Sequence, residues 1–484
     1  MATNPAHPNG EQIEEPLGEP EPMSSDSEGV NEPLEVSFGD SAAQRRRASI
    51  STRPGNPRQS TSCFVHTLLH SGVRSGTLDD EGIAQRSPAD PTPDQEADAH
   101  TQSRHLTKQQ LSDMALGIRE LSKKLGKIQV KLKVRNVFLL TKAHDQSLVA
   151  KTRSMAKWLL EQKSLDGHFY TVWVENTLER NEAFNAEDIV SKDPSYQHRL
   201  RYWTTELCRK KPHTWEIVLA LGGDGTVLYA SWLFQRIVPP VMSFAGGSLG
   251  FLTKFDFQQY PETLTKAFRD GVTVSVRLRF EATIMRSKPR EHERAQHQRD
   301  LVEELVGTLA DDISTHYPDG SHSILNDCVC DRGPAATMSG IEVFGDSQHF
   351  TTVQGDGICV STPTGSTAYN LACGGSLVHP EAPVLLITAI APHALNFRPL
   401  VLPDTIVLRI GVPYDARASC WASFDGKERC ELKAGDYVTI SASRFPFPSV
   451  LPLDRKNEDW VDSLSRTLSW NKRTRQKAFD DSPK

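Results

Sequence analysis

The stretch Trp215–Thr226, WEIVLALGGDGT, decides the fold of this 484-residue chain. Its first seven residues are nearly all apolar, as in a strand buried on both faces of a parallel sheet. A glycine-rich turn follows at once, and a helical pattern over Val227–Phe234 continues from it. In open α/β sheets, a turn at the carboxyl end of a strand faces the ligand crevice. The stretch therefore predicts a strand, a ligand-binding turn and a helix in succession.

Similar strand signals occur on both sides of this stretch, at Val134–Leu140, Tyr170–Val174 and Pro240–Phe244. The first two are separated by a helical pattern that carries Leu148 and Leu159. Continuous apolar strands that alternate with helices indicate a parallel sheet. We therefore expect a Rossmann-like α/β domain over residues 105–271.

Strand-like runs dominate from residue 272 onward, beginning with Val272–Ile284. This change predicts a β-rich C-terminal domain over 272–442, built as layered sheets or a β-sandwich. The charged stretch 286–317 is interpreted as a surface insertion. A C-terminal segment, 443–475, carries an amphipathic helix over Asp459–Trp470, and 476–484 is a polar tail.

The first 104 residues are rich in Pro, Ser, Glu and Gly and are expected to be a disordered extension. Within them, Ser49 follows the basic cluster Arg45–Arg47. Such a serine is a candidate phosphorylation site for a basophilic kinase. The alternative is a solvated basic patch in a linker.

Composition excludes several classes of protein. The net charge of −6 gives no electrostatic case for nucleic-acid binding. The longest apolar run, Pro383–Ala391, is too short to span a bilayer. Met1–Pro22 is acidic and interrupted by proline, unlike a secretory or mitochondrial leader. The eight cysteines form no Cys-x-x-Cys pair, which favours reduced thiols. We expect a cytoplasmic protein without a membrane or nucleic-acid partner.

The glycine turn contains the first candidate chemistry. Gly222, Gly223 and Gly225 let the backbone approach a polyphosphate, and the N-terminus of the following helix attracts anions. A carboxylate among phosphate-binding glycines is unfavourable unless it binds a cation or a hydroxyl. Asp224 is therefore a candidate general base or Mg²⁺ contact. The alternative is a helix N-cap.

The second domain supplies polar groups for a sugar and a base. Asn326 and Asp327 are adjacent on an otherwise apolar strand and can hydrogen-bond a ribose or an adenine; the alternative is a turn or a satisfied core pair. Five hydroxyl side chains lie between Ser361 and Tyr369, at a strand-to-helix junction. Tyr369 is positioned to stack on a purine.

Four segments together resemble the ordered signature of NAD kinases, of the fungal type with long N-terminal extensions. They are Gly222–Thr226, Asn326-Asp327, Gly355–Gly357 with Thr362–Tyr369, and Ser423–Lys427. The resemblance runs over residues 131–470. The first element is shared with diacylglycerol and sphingosine kinases, whereas Thr362–Tyr369 is more specific.

The resemblance implies transfer of the ATP γ-phosphate to the adenosine-ribose 2′-hydroxyl of NAD⁺, with Mg²⁺ or another divalent cation accompanying ATP. It leaves open whether NADH is an acceptor alongside NAD⁺. Asp224 would orient or deprotonate the hydroxyl. The residues implied to hold the ATP phosphates are Gly222, Gly223, Gly225 and Thr226. Those implied to bind NAD are Asn326, Asp327, Asp356, Thr367, Ala368, Tyr369, Asn370, Leu371, Ala372 and Asp425. The family usually carries Glu where this chain has Asp327, a side chain shorter by one carbon.

Two alternatives remain open. A lipid kinase of the diacylglycerol or sphingosine type shares the glycine turn, but it does not explain Thr362–Tyr369. A non-catalytic NAD(P)-binding sensor is expected to lose the acid at position 224, which this chain retains. The resemblance further implies a homo-oligomer.

Overall fold

The computed structural model describes residues 103–164, 166–289, 299–306, 312–334, 337–394, 396–452 and 459–468. Ser49 and the polar tail lie outside these residues. Ser103 lies within the extension predicted for residues 1–104. It is nevertheless fully buried, and its N–H donates to Glu281 Oε1 at 2.8 Å.

The α-helices of the described residues are α1 (Lys108–Leu125), α2 (Gln146–Glu161), α3 (Ala186–Val190), α4 (Tyr196–Arg199), α5 (Thr205–Lys210), α6 (Asp224–Leu233), α7 (Tyr260–Asp270), α8 (Leu301–Leu305), α9 (Asp312–Thr315), α10 (Tyr369–Ala372) and α11 (Asp459–Thr467). The strands are β1 (Asn136–Leu140), β2 (Thr171–Glu175), β3 (Leu200–Trp203), β4 (Ile217–Gly222), β5 (Val241–Ala245), β6 (Phe255–Asp256), β7 (Thr273–Arg277), β8 (Phe280–Ser287), β9 (His316–Ile324), β10 (Asp327–Asp331), β11 (Ser339–Gly345), β12 (Gln348–Gly355), β13 (Gly357–Ser361), β14 (Val384–Ile390), β15 (Leu400–Pro403), β16 (Leu408–Gly411), β17 (Cys420–Phe424), β18 (Glu428–Leu432), β19 (Tyr437–Ala442) and β20 (Phe447–Leu451). No helix in the described ranges is long and apolar enough to cross a membrane.

Eight described strands form the first sheet, in the order β3-β2-β1-β4-β5-β20-β7, with β6 beside β5. All pairs are parallel except β20 with β7. Both faces of β1 and β4 are covered: Val137 and Leu139 belong to one core cluster, and Phe138 and Val218 to the other. Full burial of each such side chain stabilises the fold by about 1.5–3 kcal/mol. β1 lies between β2 and β4, so the order of strands reverses beside β4, where ligands bind in open sheets.

The second layer contains two antiparallel sheets, each of six described strands. Their orders are β15-β14-β13-β10-β17-β18 and β12-β11-β16-β19-β8-β9. Phe280 and Ile284 of β8 share one hydrophobic core with Cys328 and Cys330 of β10 and Val360 of β13, so the two sheets pack face to face. The predicted fold class, an α/β domain followed by a β-rich domain, is confirmed.

The crossing between the layers comes at residues 278–279, not at 271–272 where the sequence predicts the boundary. β7 belongs to the first sheet because it pairs with β20, which lies in the predicted returning segment 443–475. The stretch 286–317, predicted to be a surface insertion, is partly buried. Leu301 and Leu305 of α8 are buried in a small cluster with Phe344 and Tyr437.

Candidate active site

The glycine turn joins β4 to α6. Gly222 has φ of 152°, and a Cβ there would lie 2.2 Å from Thr226 Oγ1, so only glycine fits. Gly223 and Gly225 are exposed at the start of α6, with open space where a Cβ would stand. Thr226 is buried beneath Gly222. The backbone of Gly223 and Gly225 is therefore the accessible part of this turn.

Asp224 is the first residue of α6, and the N-cap is Gly223. Its carboxylate reaches the second glycine loop, which follows β5. Oδ1 accepts the N–H groups of Leu252 (3.0 Å) and Thr253 (3.1 Å) and the Thr253 hydroxyl (3.1 Å). Among the described residues, Oδ2 accepts one hydrogen bond, from the Phe251 N–H at 2.9 Å. Because a carboxylate oxygen has two lone pairs, Oδ2 keeps capacity to accept one more hydrogen bond.

The second loop is shaped around this carboxylate. A Cβ on Gly250 would lie 2.2 Å from Asp224 Oδ1, and the Gly250 N–H donates to Thr253 Oγ1 at 2.8 Å. On the other side of the loop, Lys151 of α2 donates to the Gly246 carbonyl at 2.5 Å. The second glycine loop, residues 246–253, is thus held to the glycine turn of residues 222–225 through Asp224.

Asn326 and Asp327 lie at the start of β10, where a second aspartate organises the backbone. Asp425 accepts the N–H groups of Leu325 (2.8 Å), Asn326 (2.7 Å) and Asp327 (3.1 Å). Its own N–H donates to the Asp327 carbonyl at 2.9 Å. Burial raises the pKa of Asp425, while these three bonds and the charge of Arg279 act in the opposite direction. The observed contacts of Asp425 are structural.

Asp327 has a different environment. It is 7% exposed, and its carboxylate has no hydrogen-bond donor among the described residues. Burial, and then the charge of Asp425, raises its pKa to about 7. The adjacent Asn326 is also buried, and its Oδ1 has no hydrogen-bond partner in the described ranges. Buried polar groups are normally paired, so these two side chains are suited to receive a polar ligand.

The hydroxyl-rich segment packs directly on Asn326. Thr362 donates its N–H to the Asn326 carbonyl (2.8 Å) and its hydroxyl to the Leu325 carbonyl (2.5 Å). Beyond it, Tyr369 is 44% exposed, and the charges of Asp331 and Asp327 are among the causes that raise its pKa, after burial. Tyr369 therefore presents an exposed ring at the start of α10.

The remaining predicted NAD residues occupy different positions. Asn370 is fully buried: its amide donates to the Ser366 carbonyl (3.2 Å) and the Ser376 carbonyl (3.1 Å) and accepts the Thr388 hydroxyl (2.7 Å). This places the Asn370 side chain in the core. Half-buried or exposed positions are found for Thr367, Ala368, Leu371 and Ala372. Asp356 forms a surface ion pair with Arg332 at 2.8 Å.

A shared core connects the two halves of the site. Leu325, the residue before Asn326, packs in the same hydrophobic cluster as Val227 and Ala230 of α6. The helix that begins with Asp224 and the turn that carries Asn326 and Asp327 therefore share one hydrophobic core.

Two further residues matter that sequence reasoning missed. Thr253 holds Asp224, and nothing in its local sequence indicates this. Arg279 is fully buried and binds the end of α6. The signal for Arg279 was present, because the run Val272–Ile284 places two arginines among apolar residues.

The arrangement gives one carboxylate for a divalent cation. The described residues contain no cluster of three or more His, Cys, Asp or Glu that would hold a metal. Mg²⁺ in phosphoryl-transfer sites is bound through one or two carboxylates, water and substrate phosphates. Asp224 Oδ2 has one open position, which suits either such a cation or a substrate hydroxyl; in the first case the nucleotide would supply the other ligands.

Comparison with known proteins agrees with both halves of the site. Residues 137–272 match the ATP-NAD kinase N-terminal domain, and residues 325–451 match the ATP-NAD kinase C-terminal domain. An NAD(+) kinase of Saccharomyces cerevisiae is 40% identical over 375 residues, spanning 76% of this chain and 66% of the relative. An ATP-NADH kinase of the same yeast is 37% identical, spanning 76% of this chain and 70% of the relative.

A solved structure shares the fold as well. The crystal structure of yeast NADH kinase complexed with NADH superposes with a TM-score of 0.55 at 25% identity, covering 71% of this chain and 90% of that one. The lipid-kinase alternative shared only the glycine turn and does not account for the C-terminal match. The two domain matches follow one another along the chain, and the two halves of the site share one hydrophobic core. This chain therefore belongs to the NAD kinase family.

Proposed function

We propose that this chain transfers the γ-phosphate of ATP to the 2′-hydroxyl of the adenosine ribose of NAD⁺, with NADH as a second acceptor. One observation carries the proposal: a carboxylate with spare acceptor capacity, Asp224, begins a helix that shares a hydrophobic core with Leu325. Next to Leu325 lie Asn326 Oδ1 and the Asp327 carboxylate, which have no hydrogen-bond partner within the described residues. The residues proposed to bind NAD⁺ and those proposed to bind ATP therefore border one shared hydrophobic core.

Phosphoryl transfer asks the protein mainly for positioning and for stabilisation of charge. In the proposed reaction, Asn326, Asp327 and the exposed ring of Tyr369 bind the adenosine half of NAD⁺. Asp224 Oδ2 then accepts the hydrogen bond of the 2′-hydroxyl and takes its proton as the 2′-oxygen bonds to the γ-phosphorus and the bond from that phosphorus to the departing ADP breaks. Gly223 and Gly225 offer their N–H groups to the donor phosphates. A divalent cation, when bound with ATP, neutralises phosphate charge beside Asp224.

The test is product formation. Purified full-length protein is incubated with Mg·ATP and either NAD⁺ or NADH, and NADP⁺ and NADPH are measured separately. Formation of neither product would refute the proposal. Replacing Mg²⁺ by EDTA tests the cation requirement, with expected loss of turnover.

The same proposal keeps three predictions that come from the sequence and its family resemblance: a cytoplasmic location, a homo-oligomer and the lack of nucleic-acid or membrane partners. Sedimentation analysis of the full chain addresses the oligomer directly.

A further inference from the structure

Arg279 lies at the crossing from the first sheet to the second layer, between β7 and β8. Its side chain is fully buried, and its guanidinium is turned onto the C-terminal end of α6. Nη1 donates to the carbonyls of Ser231 (3.2 Å) and Phe234 (3.0 Å), and Nη2 donates to the Gln235 carbonyl (2.8 Å). Ser231 lies in the last turn of α6, whose carbonyls have no intrahelical partner, and Phe234 and Gln235 follow directly after the helix.

The same residue also holds the return crossing. Arg279 Nε donates to the Phe445 carbonyl at 2.6 Å, and the Arg279 carbonyl accepts the Ser443 N–H at 2.8 Å. Residues 443–446 lead from β19 to β20, back into the first sheet. One arginine therefore joins both chain crossings to the end of α6.

The charge of Arg279 connects this helix to the acceptor side. Burial lowers its pKa to about 9, so it remains protonated at neutral pH, and Asp425 is the charge that acts against this shift. Asp425 in turn holds the backbone of Leu325, Asn326 and Asp327. A cation at a helix C-terminus is favourable by itself. Here the positive charge of Arg279 also compensates the negative charge of Asp425, the carboxylate that holds the turn of residues 325–327.

We propose that Arg279 is a positioning residue for phosphoryl transfer, which fixes α6, and with it Asp224, relative to Asn326 and Asp327. The inference rests on the proposed role of Asp224. α6 has ten residues, about 15 Å, and acts as a rigid rod. A shift at the end held by Arg279 is therefore transmitted to Asp224 at the other end.

The decisive variant is Arg279→Lys, which keeps the charge but removes the planar fork that reaches several carbonyls. We expect kcat to fall by about 10²-fold, the order expected for a misplacement of about 1 Å. Affinity for NAD⁺, measured by calorimetry without ATP, should stay within about threefold, because Asp425 and its three bonds remain. The matched control is Arg286→Lys, since Arg286 of β8 binds Asp319, Asp436 and the Glu431 carbonyl away from α6. Its kcat should stay within about threefold of wild type.

Repeating Arg279→Lys in an Asp224→Asn background separates positioning from general support. If Arg279 acts through Asp224, the residual turnover of Asp224→Asn should change by less than about threefold. An equal loss in both backgrounds, or normal kcat in folded Arg279→Lys, would overturn the inference. Full activity of Asp224→Asn alone would instead refute the proposed function, and the inference with it.

A second variant covers the case in which Arg279→Lys does not fold. Gln235 holds the same helix end to β9, because its Oε1 accepts the Ser323 N–H at 2.7 Å. Gln235→Ala loosens this contact without exposing a buried charge. It should lower kcat by about threefold to tenfold, and only when Asp224 is present. Unchanged kcat in this variant would contradict the proposed transmission through α6.

Discussion

Asp224→Asn is the substitution that most directly tests the chemistry. The carboxylate accepts three hydrogen bonds on Oδ1 and one, from Phe251, on Oδ2. Asparagine has one acceptor oxygen, so its amide nitrogen must face the Phe251 N–H if the other bonds are kept. An unpaired backbone donor costs about 1–3 kcal/mol of stability. Loss of a general base costs about 10²- to 10⁴-fold in rate, which is about 2.7–5.4 kcal/mol in the barrier.

Stability and chemistry must be separated, because the substitution affects both. Thr253→Val is the matched control: it removes the hydroxyl that donates to Asp224 and accepts the Gly250 N–H, but it leaves the carboxylate in place. We expect a comparable loss of melting temperature in both variants. The value of kcat should fall by at least about 10²-fold in Asp224→Asn and by less than about tenfold in Thr253→Val.

The assay is steady-state NADP⁺ formation, with melting temperature and NAD⁺ affinity measured on the same preparations. Near-normal turnover of Asp224→Asn would end the assignment of a base to this residue. Equal losses of kcat in the two variants would show that Asp224 serves only to hold the second glycine loop.

Two further predictions concern buried acids. Because the folded pKa of Asp327 is raised to about 7, folding binds a proton between about pH 4 and 7, and stability is lost as pH rises through that range. In urea unfolding, Asp327→Asn should therefore gain stability relative to wild type between pH 5 and pH 8. Parallel pH profiles of the two proteins would contradict this. The second acid is Glu281, which accepts the Ser103 N–H, and N-terminal truncation tests this contact. A chain that starts at residue 102 keeps the contact and should melt like the full chain. A chain that starts at Thr107 leaves Glu281 without this donor, at a cost of about 1–3 kcal/mol, and should melt several degrees lower. Equal melting temperatures would show that Ser103 and Arg104 add nothing.

The elements that sequence predicts well are those set by local pattern. β4, the glycine turn and α6 follow from an apolar run, three glycines and a helical period within residues 215–234. The β-rich layer follows from repeated strand signals. The crossing at Arg279 was not predicted, because Val272–Ile284 reads as one strand, and only its pairing with β20 on one side and β19 on the other divides it between sheets.

The site shows the same division. That Asp224 lies in a ligand-binding turn follows from residues beside it, whereas its bonds to Phe251, Leu252 and Thr253 join positions 27 to 29 residues apart. Asn370 was predicted to bind NAD from the family resemblance. Its burial depends on Thr388 of β14, which no local pattern places against it.

The three aspartates of the candidate site, Asp224, Asp425 and Asp327, differ in how many hydrogen-bond donors contact their carboxylates. This difference supports a different role for each. Asp224 has four donors and keeps one acceptor position on Oδ2, which suits a carboxylate that must stay in place and still accept a substrate hydroxyl. Asp425 has three backbone donors and the compensating charge of Arg279, which suits a clamp on the acceptor turn. Asp327 has none in the described ranges, and burial, followed by the charge of Asp425, raises its pKa to about 7. In the proposed function NAD⁺ supplies the missing partner, so the shorter side chain at position 327 lies where its reach matters most.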